Sequence, residues 1–123
     1  MSEAEAGEAI RGGQILSFPT STPPPQVAFN RDELRLILNL YGRMVAEGEW
    51  RDYAIDFSRE RAVFAVYRRT SETPLYRIVK DPRLARRQGA YSVATGTGTV
   101  LKRGHELARV LRVLETPLKI VTY

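Results

Sequence analysis

The spacing of apolar residues changes period at Gly48, and that change restricts the fold more than any other feature of the chain. Before it, Leu34, Ile37, Leu38, Tyr41 and Val45 recur every three or four residues, the period of a helix with an apolar stripe. After it, Tyr53, Ile55 and Phe57 fall on one side of an alternating run and Asp52 and Asp56 on the other. A chain that passes from the 3.6-residue to the two-residue period across one short connection lays a helix on a sheet.

The helix carries its own start and stop. Asn30 is suited to cap it, and Glu33 stands three residues on to complete a capping box. Phe29 and Leu34 occupy the positions of a hydrophobic staple, and Gly48 follows Glu47 as a C-terminal stop. Leu36, Leu40 and Met44 widen the stripe to about 200° of arc, more than one sheet face covers. The helix is therefore expected to be buried on two sides or to form half of a seam between copies. In the second case Leu36, Leu40 and Met44 form the partner interface. Gly42 costs about 1 kcal/mol inside a helix, so a close packing contact is expected there.

Further strands are expected over 61–69 and 74–80, which with 50–57 make an antiparallel meander. Asp81-Pro82 predicts a short helix over 83–88, stopped by Gly89. Residues 90–95 and 99–103 form a hairpin across Gly96-Thr97-Gly98. A last helix runs over 105–115, burying Leu107, Val110, Leu111 and Leu114, and Pro117 ends it. Residues 118–123 are left between a final edge strand and a loose terminus. The fold class is α+β: an N-terminal amphipathic helix packed on an antiparallel meander of about five strands, with a C-terminal helix.

Residues 1–28 are expected to be a disordered tail and 29–123 a single domain. Gly7, Gly12, Gly13, the Thr20-Ser21-Thr22 cluster and Pro23-Pro24-Pro25 build no packed element. Ile15, Leu16 and Phe18 form an apolar island there, read either as a floppy segment or as a strand or peptide that docks at a partner interface or on the domain itself. A chain of 123 residues holds one core, and with no cysteine it has neither disulfides nor thiolate chemistry. The start, Met1-Ser2-Glu3-Ala4-Glu5, has no basic leader, and no run approaches the roughly 20 apolar residues of a membrane span. A cytoplasmic protein with no membrane contact is expected.

Charge is unevenly spread beneath the net +5. The first 29 residues set Glu3, Glu5 and Glu8 against Arg11, whereas residues 51–112 hold 14 basic side chains against six acidic ones. Arg68, Arg69, Arg77, Lys80, Arg83, Arg86 and Arg87 form a belt that suits phosphate or carboxylate. Tyr67, Tyr76 and Tyr91 stand near it as stacking surfaces. The same belt is also what a solvated face with intramolecular pairs looks like, and no helix-turn-helix, RNA-recognition signature or zinc finger accompanies it.

No catalytic residue, metal site or cofactor is expected. Asp52 and Asp56 on one strand lie about 13 Å apart, too far for a carboxylate pair, and are expected to face Arg61 or Arg68 instead. Gly96-Thr97-Gly98-Thr99 leads into a strand and not the helix a phosphate loop requires. His105 is the single histidine, and with no cysteine and no second histidine a zinc site is close to excluded. Trp50 is assigned to the core.

Four strings together resemble a known family: Ile37-Leu38-Asn39-Leu40-Tyr41-Gly42, Gly48-Glu49-Trp50-Arg51-Asp52-Tyr53-Ala54-Ile55-Asp56, Pro74-Leu75-Tyr76-Arg77-Ile78 and Gln88-Gly89-Ala90-Tyr91. It is an alphaproteobacterial family of small proteins of unknown function, domain of unknown function family 2794. The resemblance covers most of 29–115 and implies a bacterial cytoplasmic protein. It brings no activity and no site residues. From the residues, the leading expectation is a protein–protein interaction or regulatory module, homo-oligomeric or bound to another protein. The alternative is nucleic-acid or other polyanion binding through the arginine-rich face. An enzyme ranks last, since no nucleophile–base set is visible.

Overall fold

The computed structural model describes residues 25–69 and 73–120. Its first element is helix α1, Arg31–Ala46. The Asn30 side chain accepts the Glu33 N–H and the Glu33 carboxylate accepts the Asn30 N–H, both at 2.8 Å, so the capping box is formed. Gly48 takes φ 79°, the left-handed conformation that turns the chain out of the helix.

Five strands follow: β1 (Asp52–Phe57), β2 (Ala62–Tyr67), β3 (Tyr76–Lys80), β4 (Tyr91–Thr95) and β5 (Val100–Gly104). They make one antiparallel sheet in the order of the sequence, β1 to β5. Helix α2, Leu107–Ile120, closes the fold. One sheet face carries Ala62, Phe64, Val66, Ile78 and Val93, all fully buried under the helices. Ile37, Leu40 and Met44 of α1, and Leu107, Val110, Leu111 and Leu114 of α2, supply the other half of that core, with Phe29 and Trp50. The buried stripe thus includes Leu40 and Met44, two of the three helix residues expected at a partner interface. Helix packing onto the sheet has claimed them, and Leu36 alone of the three stays exposed.

Four other expectations change. Residues 83–88 do not form an α-helix: a 3-10 turn over Pro82–Leu84 is followed by N–H groups of Arg87, Gln88 and Gly89 that converge on the Leu84 carbonyl. The hydrogen bonds do not advance along the chain, so no helix propagates. Gly89, at φ 103°, passes so near Gly104 that an added Cβ would lie 2.2 Å from its carbonyl. Helix α2 continues through Pro117 to Ile120, because a proline removes one backbone donor and the neighbouring bonds persist. This excludes the edge strand at residues 118–120. At Gly42 an added Cβ meets nothing within 4 Å, so no packing contact explains that glycine. Val27 and Ala28 belong to the fold: the Val27 N–H donates to the Ser58 carbonyl at 2.8 Å, and Lys80 Nζ donates to the Ala28 carbonyl. The apolar island Ile15, Leu16 and Phe18 lies outside the described residues.

Candidate functional site

The helices cover one face of the sheet, and the other face is a shallow trough of about 620 Å³. Strand alternation and register fix what lines it. One row across the five strands runs Ala54, Ala65, Arg77, Ala94, Val100. The next runs Asp56, Val63, Val79, Ser92, Arg103. Ser58 and Arg61, from the β1–β2 turn, and Asp81 and Leu84, beyond β3, stand at one end, and Pro74 and Gly98 at the other.

The floor is made of small side chains. Ala65, Ala94 and Ser92 are nearly inaccessible although no element of the described residues lies over them, because taller neighbours flank each one. Between Ala65 and Ala94 stands Arg77, half-buried, with no ion pair or side-chain hydrogen bond among the described residues. Arg61 and Arg103 add two further guanidinium groups to the lining against the single unmatched carboxylate of Asp56. The Asp81 carboxylate is already committed: Arg83 Nε and Nη2 reach its two oxygens at 3.1 and 3.0 Å. Those bonds outweigh the effect of burial and hold the Asp81 carboxyl below its ordinary value. The trough therefore offers cationic donors over a floor of small side chains. That is binding chemistry for an extended anionic group.

The seven basic residues of the sequence belt do not assemble in one place. Arg77 alone lies centrally in the trough. Lys80 points to the opposite face, where Nζ donates to Glu33 Oε1 at 2.8 Å. Arg68 pairs with Glu49 at 3.1 Å, and Arg69 follows it past the end of β2. Arg83 is held by Asp81, and Arg86 and Arg87 are exposed on the turn before β4. The tyrosines part as well. Tyr67 lines the trough, Tyr76 packs on the core, and the Tyr91 hydroxyl donates to Glu33 Oε2. Neither Asp52 nor Asp56 forms an ion pair with Arg61 or Arg68 among the described residues.

Glu33 is the group the sequence did not mark beyond its capping role. Its buried carboxylate joins the start of α1 to β3 through Lys80 and to β4 through Tyr91. Burial alone would raise its pKa, but the hydrogen bonds from Lys80, Tyr91 and the Asn30 amide prevail and hold it below the ordinary glutamate value. Burial, and then the bond to Glu33, push Tyr91 up to about 12. Arg61, Arg103, Ala65 and Ala94 were also missed as site residues. The two-residue alternation places them on one face only once the register is known. Among the described residues no three His, Cys, Asp or Glu side chains gather as a metal site, and no helix is long and apolar enough to cross a membrane.

A family model described as Protein of unknown function (DUF2794) matches residues 27–111. No curated protein and no solved structure matches the chain.

Proposed function

We propose that this chain, which belongs to the DUF2794 family and so comes with no assigned chemistry, is a protein-interaction module that takes an extended acidic segment in its open trough. One observation carries the reading: Arg77 stands half-buried on a floor of alanines, without an ion pair among the described residues, with Arg61 and Arg103 in the same lining. A guanidinium held in that way gains most from a carboxylate that arrives already desolvated by a flat chain. The reading keeps the alphaproteobacterial, cytoplasmic setting that the sequence resemblance implies.

Nucleic acid is the alternative, and the scatter of the basic belt weighs against it. Lys80, Arg68 and Arg83 are occupied by carboxylates, and Tyr67 is the sole member of its tyrosine trio in the trough. Fluorescence anisotropy of the full chain with a labelled alternating Glu–Val peptide, and with labelled single- and double-stranded oligonucleotides, tests both. The peptide is expected to bind, and Arg77→Ala to weaken it about tenfold, the loss of one charge-assisted contact. Tighter binding of oligonucleotide than of peptide, unaffected by Arg77→Ala, overturns the proposal.

A further inference from the structure

The two edges of the sheet are guarded very differently. β5 carries Lys102 and Arg103 and a register shift opposite Val93 and Ala94, devices that discourage strand addition. β1 has no lysine, arginine, proline or shift, and its two aspartates both lie on the trough side. The Ser58 N–H donates to the Arg61 carbonyl, which fixes the alternation along β1. Asp52, Ala54 and Asp56 turn their backbone groups toward β2. Tyr53, Ile55 and Phe57 present theirs to the open edge.

The side chains of the same three residues lie on the helix side of the sheet, yet the helices leave them 46%, 36% and 40% exposed. Tyr53 stacks on Phe64 at 4.8 Å and meets the edge of Tyr41 at 5.0 Å, which seats α1 beside them. On α1, Leu34, Leu38, Tyr41 and Val45 recur at spacings of four, three and four, a seam one position away from the buried stripe. Leu38 and Val45 are 41% and 40% exposed. Strand edge and helix seam thus form one apolar surface, on the order of 400 Å², within the range that marks interaction sites.

We infer that a second copy of this chain covers that surface: the two β1 strands pair antiparallel about a two-fold axis at Ile55, and the two α1 seams meet beside them. The register follows from charge. Any register that opposes residues of like alternation keeps each face of the sheet continuous and matches outward backbone groups, and two of these centre on the middle of β1. In one, Ala54 opposes Ala54 of the second copy, and Asp52 is set against the second copy's Asp56 twice over, a like-charge contact. In the other, Ile55 opposes Ile55, Tyr53 opposes Phe57 and Ala54 opposes Asp56. Within the bounds of β1 this second register opposes no like charges, and it sets all three outward residues against one another in hydrogen-bonded pairs. The apolar patch supplies about half of the ~800 Å² that one partner buries in a standard interface, with the backbone edge and polar rim adding the rest. The chain's own preceding residues suit the edge less well, since Pro23, Pro24 and Pro25 have no N–H to donate.

The cysteine-free sequence makes the test clean. Across a hydrogen-bonded pair the Cα atoms lie about 5.5 Å apart, within the span of a disulfide. Full-length Ile55→Cys is expected to form a linked dimer under mild oxidation at least tenfold faster than Ala54→Cys. Light scattering of the unmodified chain should show a mass rising from one chain toward two with concentration. Ile55→Asp and, independently, Leu38→Glu should hold it at one chain with an unchanged circular dichroism spectrum. A mass of one chain at about 500 µM, equal linking at both cysteines, or a dimer that survives both variants overturns the inference. So does a monomer in which a tail cysteine, Leu16→Cys, links to Cys at position 55 within one chain.

Discussion

The two faces of this sheet are buried by different means. On the helix side Phe64, Ile78 and Val93 form a row of large side chains that reach zero exposure because α1 and α2 lie on them. On the trough side Ala65, Ala94 and Ser92 are nearly as inaccessible with no element of the described residues above them. The first burial depends on contacts made at a distance in sequence. The second depends on being small among taller neighbours. Substitutions on the covered face should therefore be felt as lost stability, and those on the open face as lost binding.

Phe64→Ala gives the largest expected effect, removing about 3–5 kcal/mol through lost transfer energy and a cavity under α1. Denaturant unfolding would measure it, and a loss under 1 kcal/mol would show that the helices do not bear on this face. Glu33→Gln should cost about 3 kcal/mol, since it leaves the Lys80 ammonium poorly matched in a sheltered site. It has a pH signature too. The Glu33 carboxyl sits below its ordinary value of 4.5 in the fold, so its contribution is complete above that pH. It is lost as pH falls through the depressed folded value. Thermal melts between pH 6 and 2 should show a shallower acid limb in the variant. At the alkaline end Tyr91 works in the other sense: its contribution holds below 10 and is lost as pH rises through about 12.

Gly42→Ala sharpens the comparison from outside the sheet. It should stabilise the chain by up to about 1 kcal/mol, because helix propensity improves and the added methyl meets nothing. Ala65→Leu is the smallest in stability and the most telling. It should move the unfolding free energy by no more than about 0.5 kcal/mol while filling the trough beside Arg77 and abolishing peptide binding. A cost above about 2 kcal/mol would mean that the trough is a packed surface.

Local signals brought most of the architecture into view. The Asn30–Glu33 box, the stop at Gly48 and the alternation through Tyr53, Ile55 and Phe57 each depend on neighbours within a few residues. What escaped was set by partners far along the chain. Which part of the 200° arc of α1 enters the core depends on where α2 and the sheet lie, so Leu40 and Met44 could not be told from Leu38 and Val45. Lys80 reads as a free cation until Glu33, 47 residues away, is brought to it. Ala54, Ala65 and Ala94 look like ordinary strand residues until the register aligns them beside Arg77.

Each strand of the meander pairs with its neighbours in sequence, and the connection from β1 to β2 is four residues long, 58–61. Loop closure is therefore cheap at every step, and the sheet can zip from a single hairpin outward without waiting for distant ends to meet. Refolding on the millisecond scale follows, with helix docking as the closing event. A domain that forms this quickly leaves the core-facing side chains of its sheet uncovered for little time before the helices settle, which limits mispairing during synthesis.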